Sequence, residues 1–191
     1  MKKLIPTMLV AIACIAFSDC NNSPKKEKEV IPDTKKVVED KPVADAISGT
    51  YSISAPDGWK KKDTLVAGGK RTSITSPDDG SNDRFKENVN VNTEEAKGYD
   101  LKAYAEANRA NMVNQFTGME FLSEGETTIG DMPSKWYIYS FDYSGYQLKN
   151  TAYFFVYNDR GYVITCTALK TTFDRFQSDF KTCVNSFKIN K

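Results

Sequence analysis

The chain has 191 residues, with 26 Lys or Arg against 25 Asp or Glu, and it contains no histidine. A net charge of +1 provides no basic field with which to follow a phosphate backbone, so we expect no nucleic-acid partner. The lack of histidine excludes every catalytic or metal-binding arrangement that depends on an imidazole.

The first twenty residues have the layout of a secretory signal. Lys2 and Lys3 precede an apolar run from Leu4 to Phe17, which is shorter than the roughly 20 residues that a membrane-spanning helix needs. A cysteine, Cys20, follows shortly after this run. This arrangement resembles a bacterial lipoprotein signal, which is cut just before a cysteine that is then acylated.

Two cysteines compete as the acylated residue. Cys20 is preferred because the polar tract Asn21–Pro24 begins directly after it, and because a cut there leaves an even pair of cysteines in the exported chain. Cys14 is the alternative, since it follows Ala13 and the lipoprotein signal prefers a small residue at that place. The resemblance implies removal of residues 1–19 and a lipid anchor in a membrane of the cell envelope.

Residues 20–46 form the next compositional unit. They are rich in Lys, Glu, Asp and Pro and contain no aromatic residue. Such a segment cannot bury enough apolar surface to offset the entropy lost on ordering. We predict a flexible charged tether, with a short helix around residues 35–40 as the alternative, and a globular domain that occupies residues 47–191.

The first part of this domain predicts strands followed by one helix. Gly49–Ser54 alternates in the manner of a strand, and Leu65–Thr75 predicts strands interrupted by two glycines. Asn88–Thr93 alternates valines with asparagines, which predicts a strand with one face in solvent. From Asp100 to Phe116 the spacing of apolar residues becomes helical, with Asp100 as the N-cap.

The second part is dominated by a predicted meander. After a strand at Met119–Ile129, three aromatic and β-branched runs fill Trp136–Ala168, with turn signals at Ser144-Gly145 and Asn158–Gly161. These strands are apolar on both faces, so the sheet needs a cover on each side. The helix at residues 100–116 and a final helix over Thr172–Phe187 supply them. The expected fold is therefore α+β, with an antiparallel β-sheet sandwiched between helices.

Two cysteines lie in elements that are predicted to pack together. Cys166 shares a strand face with Ile164 and Ala168, and Cys183 lies on the apolar stripe of the final helix. In an oxidising compartment they either form a disulfide or remain two buried thiols that act as small apolar residues.

The first strand of the meander carries a row of aromatic side chains on one face, while Trp136 and Ile138 lie on the other. Such a row lines either a groove for an apolar ligand or, as the alternative, the core of the domain. The candidate ligand-facing residues are Tyr137, Tyr139, Phe141 and Tyr143.

Acidic residues offer weaker candidates for chemistry. Asp78, Asp79 and Asp83 lie in one polar loop, but their spacing matches no calcium-binding loop, and a solvated loop explains them better. The pairs Glu94-Glu95 and Glu124/Glu126 have the chemistry of an acid–base pair, yet charged strand ends explain them equally well. We predict no metal site, no cofactor and no catalytic residue.

Several short stretches resemble the PsbP-like domains, a family that includes the DcrB-type lipoproteins. The resemblance covers about Gly49 to Ile189 and is carried by these residues: Tyr51–Trp59, Ile129–Ser134, Gly161–Thr165, Phe180 and Ser186–Ile189. It implies a PsbP-like α/β/α sandwich, and it implies an accessory or binding protein, since members of the family are mostly non-catalytic.

These features together predict an envelope lipoprotein that faces the periplasm or the cell surface. We expect a non-catalytic accessory or protein-binding module, whose partners are the membrane, through its N-terminal lipid, and an envelope protein. The alternative is a carrier or sensor of a small apolar or lipid-like ligand.

Overall fold

The computed structural model of this protein describes residues 51–66, 69–81 and 83–190. The predicted signal peptide, the tether and both candidate acylation sites, Cys14 and Cys20, lie outside the described residues. Over the described ranges, no helix has both the length and the apolar character needed to span a bilayer.

Nine strands and two α-helices make up the described part of the chain. In chain order they are β1 (Tyr51–Ser52), β2 (Lys60–Val66), β3 (Gly69–Thr75), β4 (Asn88–Glu95), α1 (Leu101–Gln115), β5 (Thr117–Ile129), β6 (Met132–Tyr143), β7 (Tyr146–Tyr157), β8 (Arg160–Leu169), a 3-10 turn (Phe173–Phe176), α2 (Gln177–Asn185) and β9 (Lys188–Ile189). Seven strands form one antiparallel sheet in the order β2-β3-β4-β8-β7-β6-β5, while β1 pairs with β9. The predicted α+β sandwich is confirmed.

The predicted meander is present as β6, β7 and β8. Its two turns are tight because the turn residues adopt left-handed backbone angles, with φ of 49° at Ser144 and 82° at Gly145, and 49° at Asn158 and 59° at Asp159. Two successive residues with positive φ match the right-handed twist of the flanking strands. The meander then extends on both sides, because β5 pairs with β6 and β4 pairs with β8.

Of the two predicted helices, the first begins where the sequence predicts and the second is shorter than predicted. α1 begins as predicted, with the Asp100 carboxylate accepting a hydrogen bond from the Ala103 backbone N–H at 2.7 Å. The predicted single helix over Thr172–Phe187 is instead a 3-10 turn followed by α2, and the chain leaves the helix at Ser186. It leaves there because the next residues pair with β1 as strand β9.

Each helix packs on one face of the sheet, which gives the molecule two separate cores. The α1 face carries Tyr104, Ala105 and Met112 of the helix together with these buried sheet and loop residues: Phe85, Tyr137, Tyr139, Phe141, Leu148, Ala152 and Phe154. The α2 face carries Phe173, Phe176, Phe180, Cys183, Val184 and Phe187 together with these: Tyr51, Ile74, Val89, Val91, Phe155, Tyr162, Ile164, Cys166 and Ala168. Phe154 and Phe155 point to opposite faces, so β7 contributes to both cores.

Candidate functional site

Each helix covers only part of the face on which it packs. α1 contacts β5, β6 and β7, whereas the cluster under α2 is drawn mainly from β3, β4 and β8. These two strand sets lie at opposite ends of the sheet. Two quarters of the sheet therefore lie beside the helices rather than beneath them: the β2–β4 end of the α1 face and the β5–β7 end of the α2 face. We call them quadrants, and they are the candidate sites of this fold.

We name the two quadrants by their side chains. The apolar quadrant is the β5–β7 part of the α2 face, formed by Gly125, Trp136, Ile138, Thr151 and Tyr153. The amide quadrant is the β2–β4 and β8 part of the α1 face, continued by Asn150 of β7. It is formed by Lys60, Lys62, Arg71, Ser73, Thr75, Asn88, Asn90, Asn92, Thr165, Thr167 and Asn150.

In the apolar quadrant, three large side chains of adjacent strands form one surface. Trp136 is paired across the strands with Tyr153, and Ile138 is paired with Thr151. The indole lies against the neighbouring strand, since a Cβ on Gly125 would be 2.6 Å from Trp136 Cζ2. Trp136, Ile138 and Tyr153 are all half-buried, so an apolar surface remains in contact with solvent.

The β5 edge next to this quadrant is poorly suited to pairing with another strand. Its register with β6 shifts twice, between Thr117 and Glu120 and between Phe121 and Ser123. Bulges and acidic side chains on an edge strand both discourage edge-to-edge addition. The face of the apolar quadrant, rather than the strand edge, is thus the surface available to a partner.

The aromatic residues predicted to face a ligand lie on the opposite face, beneath α1. Tyr137, Tyr139 and Phe141 are at most 6% exposed, and Tyr143 is half-buried. Their rings contact other rings, with 5.6 Å between the centroids of Tyr137 and Phe154. The three buried side chains are part of the core under α1, as the alternative interpretation states. An apolar ligand at that place would have to displace α1.

The side chains of the amide quadrant are more buried than the sequence pattern predicts. The prediction that the asparagine face of this strand lies in solvent is wrong for two residues, because Asn88 is 7% and Asn90 is 6% exposed. β4 is an inner strand, and the Phe85 side chain just before it belongs to the core under α1. The amides also bond to each other, with Asn90 Nδ2 donating to Asn88 Oδ1 at 2.6 Å.

One carboxyl, that of Glu94 on β4, lies beside α1 on the α1 face of the sheet. The Tyr104 hydroxyl donates to Glu94 Oε1 at 2.6 Å, and a Cβ on Gly161 would be 2.4 Å from the Tyr104 ring. Burial raises the pKa of Glu94, while hydrogen bonds from Tyr104 and Asn108 oppose the rise. Glu95 is exposed on the other face of the strand, so the candidate Glu94-Glu95 pair is not brought together.

Most of the remaining acidic candidates are engaged in ion pairs, whereas Glu126 is exposed and forms no ion pair with a described residue. Glu124 bonds to Arg109 at 2.9 Å, Lys86 bonds to Asp83 at 2.7 Å, and Asp79 bonds to Arg175. Among the residues that the structure describes, no group of three or more Cys, Asp or Glu side chains is arranged to hold a metal ion.

The two cysteines of the domain are buried free thiols in the core under α2. Burial raises the pKa of Cys183 to about 12 and raises the pKa of Cys166 as well. Both thiols are therefore protonated and unreactive at neutral pH. A disulfide between them stays a prediction, which peptide mapping after alkylation of denatured, unreduced protein tests: two alkylated cysteines would exclude the bond.

Comparisons with known proteins identify the fold. No protein-family model matches the chain, and no curated protein matches it. LpqN of Mycobacterium tuberculosis, described as involved in cell envelope biogenesis, superposes with a TM-score of 0.60 at 12% identity, over 78% of this chain and 88% of its own.

Two further solved structures are similar. A Pseudomonas aeruginosa protein of unknown function has a TM-score of 0.56 at 12% identity, over 75% of this chain and 99% of its own. The cyanobacterial PsbP protein of Synechocystis, CyanoP, has a TM-score of 0.52 at 14% identity, over 74% of this chain and 87% of its own. The domain therefore has the PsbP-like fold that its sequence motifs imply.

Proposed function

We propose that this chain is a lipid-anchored, non-catalytic module of the bacterial cell envelope, and that it binds a partner protein through the apolar quadrant. The observation that carries the proposal is the apolar surface that Trp136 and Ile138 of β6 form with Tyr153 of the adjacent strand β7, beside the helices. Tryptophan and tyrosine contribute most to the energy of protein interfaces, because they bury large area with little loss of side-chain entropy.

The chemistry of the described side chains supports binding rather than catalysis. The two thiols are held protonated by burial, and Glu94, a half-buried carboxyl on the α1 face, already accepts a hydrogen bond from Tyr104. Neither arrangement supplies an activated nucleophile.

Placement in the envelope is supported by the lipoprotein-like start of the sequence and by the structural likeness to LpqN. We propose that Cys20 carries the lipid and that residues 20–46 give the domain the freedom to present the apolar quadrant to an envelope protein with an apolar patch of its own.

Site-specific photo-crosslinking in intact bacteria tests the docking surface. A benzophenone amino acid at position 138, in the apolar quadrant, should give a crosslinked product with one defined envelope protein. The matched control is position 65, because Leu65 is apolar and 64% exposed but lies on β2 at the other end of the sheet. Identical products from positions 138 and 65 would contradict the proposal.

The same surface can be probed without a crosslinker. Ile138→Lys should abolish co-purification of that partner, because it places a charge at the centre of an apolar interface, whereas Leu65→Lys should not. If native mass spectrometry instead showed a lipid bound to the wild-type domain, the carrier function would be favoured.

Lipid attachment has its own test. Incorporation of radiolabelled palmitate should be lost in Cys20→Ser and retained in Cys14→Ser. Labelling that survives in Cys20→Ser would refute the assignment of Cys20.

A further inference from the structure

We propose that the amide quadrant is a binding groove for an acidic oligosaccharide, meaning a short chain of sugars that carry carboxylates. This site is distinct from the apolar quadrant, since it lies on the other face and at the other end of the sheet. It does not depend on the proposed partner protein.

The amide quadrant is a grid of polar side chains in register, in which Asn88, Asn90, Asn150 and Thr167 are 4–7% exposed and the others are half-buried or exposed. One cross-strand row contains Lys62, Ser73, Asn90 and Thr165, and the next contains Lys60, Thr75, Asn88, Thr167 and Asn150. Amides and hydroxyls both donate and accept hydrogen bonds, which is the capacity that sugar hydroxyls require. The row from Lys62 on β2 to Thr165 on β8, whose two end residues are not fully buried, spans about 14 Å at the usual spacing of strands, which suits an oligomer rather than a single sugar.

Polar atoms within this grid lack partners in the part of the chain that the structure describes. Asn150 is 4% exposed, and its Oδ1 accepts no hydrogen bond from a described residue, although its Nδ2 bonds to Tyr139. Asn92 Oδ1 and Arg71 Nε, on the same face, are enclosed without a partner in the same way. Native proteins pair nearly all buried polar atoms, so three such atoms on one quadrant point to a ligand with hydroxyl groups.

The charges of the neighbouring strands β2 and β3 are sorted by face. On the α2 face, Lys61 and Lys70 bond to Asp63, at 3.7 and 3.1 Å. On the α1 face, Lys60, Lys62 and Arg71 make no ion pair with any residue in the described ranges. Cations without counter-charges at one end of an amide groove favour a ligand with carboxylates at that end.

The groove is bounded on two sides. α1 flanks it towards β7, and the segment that carries Phe85 closes one end, where the Phe85 and Tyr146 rings lie 5.6 Å apart. Three cations beside a larger number of amides and hydroxyls suit a sugar acid better than a polyphosphate. A polyphosphate would need a more continuous basic surface, and the domain is close to neutral.

Calorimetric titration of the mature protein with trigalacturonate tests the proposal, with maltotriose as the neutral control. Trigalacturonate should bind saturably, and maltotriose should bind at least tenfold more weakly. Arg71→Gln should weaken trigalacturonate binding by roughly tenfold, which is the usual effect of losing one charge-assisted hydrogen bond. Lys181→Gln removes an exposed cation from α2 on the other face and should change the affinity less than twofold.

Asn92→Ala is the second variant, because Asn92 is half-buried and its side-chain oxygen is unpartnered. It should weaken binding without loss of the thermal transition, and Ile138→Lys should leave binding unchanged. The proposal is overturned if trigalacturonate does not bind at millimolar concentration, or if Lys181→Gln weakens it as much as Arg71→Gln. It is also overturned if inorganic phosphate or anionic lipid vesicles displace the sugar equally well.

Discussion

The two quadrants that the helices leave beside them belong to one sheet but have opposite chemistry. In the apolar quadrant, Trp136 and Ile138 alternate with the core aromatics of β6, so this strand is apolar on both faces, although the aromatics under α1 are buried and Trp136 and Ile138 are only half-buried. In the amide quadrant, Asn88, Asn90 and Asn92 alternate with the core valines of β4. A sheet wider than its helices thus carries two binding surfaces, and the alternating residues of the strands decide the chemistry of each.

The largest contrast should appear between a side chain under a helix and one in the apolar quadrant. Phe155 is fully buried, and its ring lies 5.1 Å from that of Tyr162 and 5.1 Å from that of Phe187. Phe155→Ala should therefore lower the free energy of unfolding by about 3–5 kcal/mol. Trp136→Ala should lower it by less than half as much, because the indole is already partly in water. Urea denaturation measures both, and equal losses would mean that the quadrant is not open.

The same contrast between a side chain under a helix and one in the apolar quadrant can be tested by adding one methyl group at either of two glycines. A Cβ on Gly161 would meet the buried Tyr104 ring at 2.4 Å, and one on Gly125 would meet the Trp136 indole at 2.6 Å. The Tyr104 ring is fixed between α1 and the sheet by its hydrogen bond to Glu94, whereas the Trp136 side chain is only half-buried. Gly161→Ala should cost about 1–3 kcal/mol of stability, and Gly125→Ala should cost clearly less, as measured by urea denaturation. A larger loss for Gly125→Ala would show that Trp136 is locked in place.

The half-buried carboxyl of Glu94 beside α1 should make stability depend on pH. The folded pKa of Glu94 lies above its ordinary value of 4.5, so the native state holds the proton more tightly than the unfolded state. Stability then falls as pH rises from about 4.5 through the folded pKa. Glu94→Gln should remove this fall and be more stable than the wild type at pH 7, with a smaller difference at pH 4.

Glu95→Gln is the control for the pH experiment, because Glu95 is exposed on the other face of the strand. It should leave the pH profile of unfolding unchanged. If both variants behaved alike, the effect would come from the net charge of the domain rather than from the burial of Glu94.

The smallest expected effect concerns substitutions on the two faces of strands β2 and β3. Lys70 bonds to Asp63 at 3.1 Å and lies over the Tyr51 ring at 4.8 Å from its centroid. Lys70→Gln should cost roughly 0.5–1 kcal/mol, and Lys62→Gln should stay within about 0.5 kcal/mol, since Lys62 is exposed and forms no ion pair with a residue that the structure describes. Thermal unfolding at low salt measures the pair. A loss on Lys62→Gln that equals the loss on Lys70→Gln would contradict the sorting of charges by face.

Local patterns were sufficient for much of the fold. The turn residues at Ser144-Gly145 and Asn158-Asp159 predicted the meander, and Asp100 predicted the start of α1, because turns and caps depend on a few adjacent residues. The final helix was predicted too long. Its phenylalanine stripe continues through Phe187, but the pairing of β9 with β1 joins residues far apart in sequence and ends the helix at Ser186.

The candidate sites were harder to predict than the elements. The sequence analysis singled out the aromatic row of β6 that contains Tyr137 and Tyr139, and α1 covers those side chains. It placed Trp136 and Ile138 on the other face without assigning them a role. Alternation along a strand separates two faces, but it does not say which face a helix will cover.

By itself, the sequence determined the antiparallel strands, the helix at Leu101 and the apolar character of both sheet faces, since each follows from the spacing of residues within one segment. Only the tertiary structure decided that β4 joins the meander at β8, that Asn88 and Asn90 are enclosed, and that Trp136 lies beside the helices rather than beneath them. The physical reason is that pairing between distant strands and the docking of helices depend on contacts that no local pattern contains.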